Sequence, residues 1–225
     1  GGTSVTITGT NLSGVTGVTV GGAAATLGTN TSTSIQITTP AGTAGARDVV
    51  LTTAGGSVTS TGGFTYLAAP TIDTITPNSG PVAGGTSVTI TGTDLSGVTG
   101  VTVGGVAATL GTNTSTSIAI TTPAGTAGAQ NVVVTTAGGS ATSTGGFTYI
   151  AAPTIGTISP SSGPVAGGTS VTITGTNLSG VTGVTVGGAA ATLGTNTSTS
   201  IQITTPAGTA GARDVVLTTA GGSVT

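Results

Sequence analysis

Gly84-Gly-Thr-Ser-Val-Thr-Ile-Thr-Gly92 is the stretch that decides the fold. Val88 and Ile90 alternate with Ser87, Thr89 and Thr91, so an extended segment here has one apolar face and one hydroxylic face. The same period of two returns at Ile118 and Ile120, which alternate with Ser117, Ala119 and Thr121. A helix needs apolar residues three and four apart, and no such spacing runs through the chain. Threonine suits the outer face because its branched β-carbon favours extended backbone while its hydroxyl stays in water. Half-apolar strands of this kind are stable only when two sheets bury their apolar faces against each other.

Working outward, the same nine residues begin at Gly1, at Gly84 and at Gly167, a period of 83 residues. Residues 1–59 and 167–225 are identical. The middle copy differs from them at Asp94 for Asn11, Val106 for Ala23, Ala119 for Gln36, Gln130 and Asn131 for Arg47 and Asp48, Val134 for Leu51, and Ala141 for Val58. Alternate copies match while neighbours do not, so the larger period is two repeats. The expected division is a repeat at 1–67 lacking its first strand, a complete repeat at 68–150, and a repeat at 151–225 lacking its last strand, a window on a longer array.

Within the complete repeat, short β-branched runs are separated by Gly, Pro, Asn and Ser clusters, the pattern of a sandwich. Strands are expected near residues 71–75, 87–91, 100–103, 107–110, 117–121, 131–136 and 141–148, about seven in all. Gly104-Gly105 and Gly138-Gly139 stand where tight hairpins require positive φ. The prediction is an all-β chain of tandem immunoglobulin-like sandwiches.

Six ordered motifs carry a family resemblance: Pro70-Thr-Ile-Asp-Thr-Ile-Thr-Pro-Asn-Ser-Gly-Pro81, Gly84 to Gly92 as above, Asp94-Leu95, Val101-Thr-Val-Gly-Gly105, Thr122-Pro-Ala-Gly125 and Phe147-Thr-Tyr149. Together they resemble the IPT/TIG domain, and the resemblance covers the whole chain. It implies an immunoglobulin-like fold and little about activity, because the family sits in bacterial surface proteins, beside sugar-processing enzymes, in receptor ectodomains and in transcription factors. This chain departs from the last two in having neither cysteine nor a basic loop to face DNA.

Composition narrows the functions. Only 3% of residues are charged, against a typical ~25%. There is no Cys, His, Lys or Glu, so thiolate and imidazole chemistry are absent and the carboxylates are Asp48, Asp73, Asp94 and Asp214. General acid–base and nucleophilic mechanisms need a positioned pair of tuned groups, and these residues offer none. The expectation is a protein that is not an enzyme and holds no cofactor. Two cations cannot neutralise a phosphate backbone, which excludes nucleic acid as a partner. No stretch approaches the roughly 20 apolar residues of a membrane span, so no membrane insertion is expected in this segment. Calcium wants several acidic ligands together, and the junctions Tyr66-Leu-Ala-Ala-Pro70 and Tyr149-Ile-Ala-Ala-Pro153 have only Asp73 nearby. Short apolar linkers ending in proline should instead restrict the hinge sterically.

Gly80-Pro-Val-Ala-Gly-Gly-Thr-Ser87 has the look of a phosphate-binding loop, but that loop must open a helix and here a strand follows. It reads as a sandwich corner. The pair Arg47-Asp48, repeated as Arg213-Asp214, is replaced as a unit by Gln130-Asn131, which nominates it for a contact between domains or chains; the plainer reading is a solvated pair. Asn11, Asn30, Asn113, Asn177 and Asn196 each open an Asn-X-Ser/Thr triplet and are candidate glycosylation sites, although a Thr-rich chain produces such triplets by chance.

Repeats joined by short linkers make a quasi-one-dimensional object whose length follows copy number. With two Arg and no Lys, Met, Cys or Trp, the chain gives trypsin-like proteases and oxidants few targets, which suits an exterior location. The functional expectation is an extracellular or cell-surface structural array, a fibre body or stalk. Its partners would be its own neighbouring repeats, with lateral assembly into a filament as one form. The alternative is a carbohydrate-binding or adhesive module, which would need an exposed aromatic platform. Phe64, Tyr66, Phe147 and Tyr149 instead fall two apart at strand ends, where each pair shares a face and should seal the base of a domain.

Overall fold

The computed structural model describes residues 1–225, and apart from one 3-10 turn at Leu12–Gly14 its regular structure is all strand. The second repeat shows the complete unit. One sheet runs Thr109–Asn113, Ser117–Thr121, Ser87–Thr91, Thr74–Thr76, and the other runs Val106–Ala107, Val98–Val103, Gly128–Thr136, Gly139–Ile150, Ser79–Pro81. All pairings within them are antiparallel except the last, in which Thr148, Tyr149 and Ile150 lie parallel to Ser79, Gly80 and Pro81.

The alternation read from the sequence sets the register. Val88 faces Ile120 and Ile90 faces Ile118 across the first sheet, and all four are buried. They meet Val101, Val103, Val132 and Val134 of the second sheet in one core, together with Leu95, Phe147 and Tyr149. On the outer face Thr89 stands opposite Ala119, and the Thr74 and Thr91 hydroxyls are hydrogen-bonded at 2.7 Å. Burying a Val, Ile or Leu side chain in this way contributes about 1.5–3 kcal/mol, so these eleven residues dominate the stability of the repeat.

Two features depart from the expected strands. The run at 107–110 is not one strand: Val106–Ala107 pairs with Val98–Val103, and Thr109–Asn113 pairs with Ser117–Thr121 in the other sheet. The chain changes sheets at Ala108, whose N–H still reaches the Val101 carbonyl at 2.9 Å. Ser79–Pro81, whose Gly80 and Pro81 belong to the stretch that reads as a corner, is a short edge strand. Its proline is tolerated because an edge needs no donor on its outer side. Gly80 is required there, since a Cβ would lie 2.1 Å from the Thr86 hydroxyl oxygen and 3.1 Å from the Phe147 ring.

The other repeats follow the same plan. In the first, Ser4–Thr8, Ser34–Thr38 and Thr26–Asn30 form one sheet, and Ala23–Ala24, Val15–Val20, Gly45–Thr53 and Gly56–Tyr66 the other. In the third, Thr154–Ser159, Ser170–Thr176, Ser200–Thr204 and Thr192–Asn196 form one sheet, and Ala189–Ala190, Gly183–Val186, Val215–Thr219 and Gly222–Val224 the other. Each has its own core, around Ile35 and Ile37 in the first and around Ile201 and Ile203 in the third. Compact packing groups Gly1–Ala69 with the turn Ala137–Gly139, and Pro70–Thr136 with Ser140–Thr225.

Candidate functional site

Arg47, Asp48 and Arg213, and the Gln130 and Asn131 that replace the first two, bond within their own sandwiches. Asp48 accepts the Gly62 N–H at 2.8 Å, and Asn131 accepts the Gly145 N–H at 2.9 Å with its side-chain oxygen. Aspartate and asparagine share that acceptor, so the exchange keeps the bond and drops the charge. Arg47 donates to the Thr43 and Ala44 carbonyls at 3.2 and 3.0 Å and to the Thr43 hydroxyl. Gln130 makes the matching bonds to the Thr126 carbonyl and hydroxyl at 3.2 and 3.1 Å. In the third repeat Arg213 returns to the Thr209 carbonyl, and the Asp214 carbonyl accepts the Gly187 N–H. No three acidic, His or Cys residues gather where they could hold a metal ion.

The asparagines divide into two sets. Asn30, Asn113 and Asn196 end the exposed edge strands, and Asn113 donates its side-chain N–H to the Leu95 carbonyl at 3.0 Å. Asn11 and Asn177 take left-handed backbone, φ 58° and 57°, as Asp94 does at 53°. Asn and Asp enter that region more readily than other side chains, which explains the residue type at this corner. The leucine that follows each of them, Leu12, Leu95 or Leu178, is buried.

The aromatic pairs lie in or against the cores of the first two repeats. Phe147 and Tyr149 are each 1% exposed and meet edge to face, with ring centroids 5.1 Å apart. The Tyr149 hydroxyl donates to the Pro123 carbonyl at 2.6 Å, and Gly125 leaves room for its ring, since a Cβ there would lie 2.3 Å away. Burial pushes the Tyr149 phenol above its ordinary value, against a smaller lowering by hydrogen bonding to Thr122. Phe64 and Tyr66 repeat the contact at 4.9 Å, with the Tyr66 hydroxyl on the Pro40 carbonyl at 2.7 Å.

No local sequence signal marks how each incoming segment is held. A Cβ on Gly138, in the hairpin turn of the second repeat, would lie 1.9 Å from the Ala68 carbonyl oxygen. On Gly221, its counterpart in the third repeat, it would lie 2.1 Å from the Ala151 oxygen. Three residues on, Gly92 and Gly175 admit the Thr71 and Thr154 carbonyls in the same way, with Cβ distances of 2.0 and 1.8 Å. Each segment thus lies with two carbonyls against positions that have no side chain. Threonines add polar ties: the Thr71 and Thr93 hydroxyls are 3.1 Å apart, the Thr154 and Thr176 hydroxyls 2.8 Å. The hairpin glycines were expected to serve φ, and Gly139 does at 137°, but Gly138 is small because another part of the chain lies on it.

The IPT/TIG domain matches this sequence three times, over residues 1–66, 70–149 and 153–225. The chain belongs to the IPT/TIG family. Three IPT/TIG repeats therefore stand in tandem, each with its own core and with its Phe-Thr-Tyr strand, where it has one, turned inward. Among solved structures the chain is similar to the plexin A4 extracellular region, with 24% identity and a TM-score of 0.44 over 98% of this chain and 22% of that one. It is similar to the I9–I11 tandem from titin at 10% identity and a TM-score of 0.35, over 98% of this chain and 89% of that one. A surface glycan-binding protein from Prevotella bryantii follows at 21% identity and a TM-score of 0.33, over 69% and 40% of the two chains. No curated protein sequence matches the chain. No helix is long and apolar enough to cross a membrane.

Proposed function

We propose that this chain is a segment of an extracellular structural array, a stalk or fibre body whose working property is repeated, chemically inert length. The observation that carries the reading is that the charged, amide and aromatic side chains of the first two IPT/TIG repeats bond within their own repeat. Asp48 and Asn131 cap backbone amides, Arg47 and Gln130 brace a loop, and Tyr66 and Tyr149 donate to carbonyls. No tuned pair is left over for acid–base or nucleophilic work, which supports a non-enzymatic role. The incoming segments are held on glycines rather than left free, which supports a structural array over a loose tether.

A carbohydrate-binding or adhesive module would present aromatic rings to solvent, whereas Phe147 and Tyr149 lie in the core. Near-neutral outer faces rich in threonine permit close lateral approach of chains, which makes a filament a natural form of the same array. Negative-stain microscopy of the native material tests the proposal: threads or regular fibres support it, and compact particles would end it. Binding of this chain to a glycan array would establish the carbohydrate module instead.

A further inference from the structure

The two-repeat period of the sequence has a physical counterpart at the corner formed by residues 11, 94 and 177. In the third repeat Asn177 donates its side-chain N–H to the Ala152 carbonyl at 3.0 Å, tying down the segment that leads into that repeat. In the second repeat the corresponding residue is Asp94. A carboxylate accepts and cannot donate, and Asp94 takes the Thr93 hydroxyl at 3.3 Å. The glycine seats and the threonine pair are matched: Gly92 and Gly138 seat one incoming segment as Gly175 and Gly221 seat the other, and a threonine hydroxyl pair accompanies each. At the corner itself residue 94 or 177 decides whether a side chain donates to the segment; the segments also differ at Asp73 and Gly156, and Asp73 takes the Thr71 hydroxyl at 3.4 Å without reaching residues 68–70.

We infer that the array alternates between tightly and loosely held incoming segments, with Asn setting the tight state and Asp the loose one. Three identical repeats would make every joint alike; a pair that differs at this corner gives joints of two kinds in strict alternation. The proposal holds whether the array serves as a stalk or as a filament body.

Hydrogen–deuterium exchange on the intact chain tests it, because Leu-Ala-Ala-Pro-Thr at 67–71 and Ile-Ala-Ala-Pro-Thr at 150–154 have nearly equal intrinsic rates. One added hydrogen bond slows local opening about fivefold, so amides at 151–154 should exchange about that much more slowly than those at 68–71. Asn177→Asp should erase the difference by speeding 151–154, and Asp94→Asn should erase it by slowing 68–71. Each substitution installs a residue that another repeat already has at that corner, so both variants fold. Equal exchange in the wild-type chain, or failure of either substitution to move the segment beside it, overturns the inference.

Discussion

Replacing Gly138 by alanine tests whether the hairpin turn holds the incoming segment, because the chain supplies its own control. Gly55, Gly138 and Gly221 are equivalent positions in identical Thr-Thr-Ala-Gly-Gly-Ser turns, and none has a positive φ, so alanine introduces no backbone strain at any of them. They differ in what the new methyl meets. At Gly138 it would lie 1.9 Å from the Ala68 oxygen and at Gly221 2.1 Å from the Ala151 oxygen, whereas at Gly55 the nearest atom is the Thr53 hydroxyl oxygen at 3.7 Å. Ordinary carbon–oxygen contacts begin near about 3.3 Å, so the segment at 68 must retreat by more than about 1 Å. Overpacking of that order costs about 1–3 kcal/mol. Where the methyl is free, Gly→Ala instead stabilises by about 0.4–1 kcal/mol through the unfolded chain. The expected gap between equivalent substitutions is therefore about 1.5–4 kcal/mol, a factor of roughly 10 to 1,000 in local opening. Because three repeats do not unfold as one transition, the assay is peptide-resolved hydrogen exchange rather than a single melting temperature. Gly138→Ala should speed exchange at 67–71 and Gly221→Ala at 150–154, while Gly55→Ala speeds nothing. If all three variants behave alike, the close approach is not what selects glycine.

Other outcomes follow from the same contacts. Phe147→Ala empties the end of the second core and should destabilise that repeat by about 3–5 kcal/mol, while Tyr149→Phe should cost about 0.5–1.5 kcal/mol for the lost bond to Pro123; exchange in the Val88–Val134 core peptides reports both. Arg47→Gln with Asp48→Asn should leave the first repeat within about 0.5 kcal/mol of wild type, because the second repeat keeps the bonds to threonine and glycine with those residues and only the exposed bond to the Ala44 carbonyl is lost, whereas Asp48→Ala should loosen the Gly62 amide. Tyr149 has its phenol raised by burial, so the folded repeat keeps a proton that the unfolded chain releases near the ordinary value of about 10. That contribution is fully present below the unfolded pKa and is lost as pH climbs from there through the folded one; denaturation of wild type and Tyr149→Phe between pH 8 and 12 should show a steeper alkaline loss in the wild type.

The alternation of Val88 and Ile90 with Ser87, Thr89 and Thr91 was enough to place a strand, its inner face and its sandwich, because side-chain direction in a strand is fixed by parity. The hairpin at Gly104-Gly105 was legible for a similar reason, both residues needing the φ of 61° and 83° that glycine adopts freely. Ser79–Pro81 was not, since Gly and Pro mark a turn in the local sequence and its pairing with Thr148–Ile150 comes from a segment about seventy residues away. The same separation hid the reason for Gly138, which is set by Ala68 and not by its own turn. Arg47-Asp48 showed its joint replacement in the sequence but not its partners, Thr43 behind and Gly62 ahead, which turn the charge change into an exchange of like hydrogen bonds. Local conformation is written in local residues; close approaches between distant ones are not.

In the proposed array, copy number sets length. Small-angle scattering of chains with three, five and seven of these repeats should show a maximum dimension that rises by a constant increment for each repeat added. Growth as the cube root of chain length, the signature of repeats folding back on one another, would contradict it.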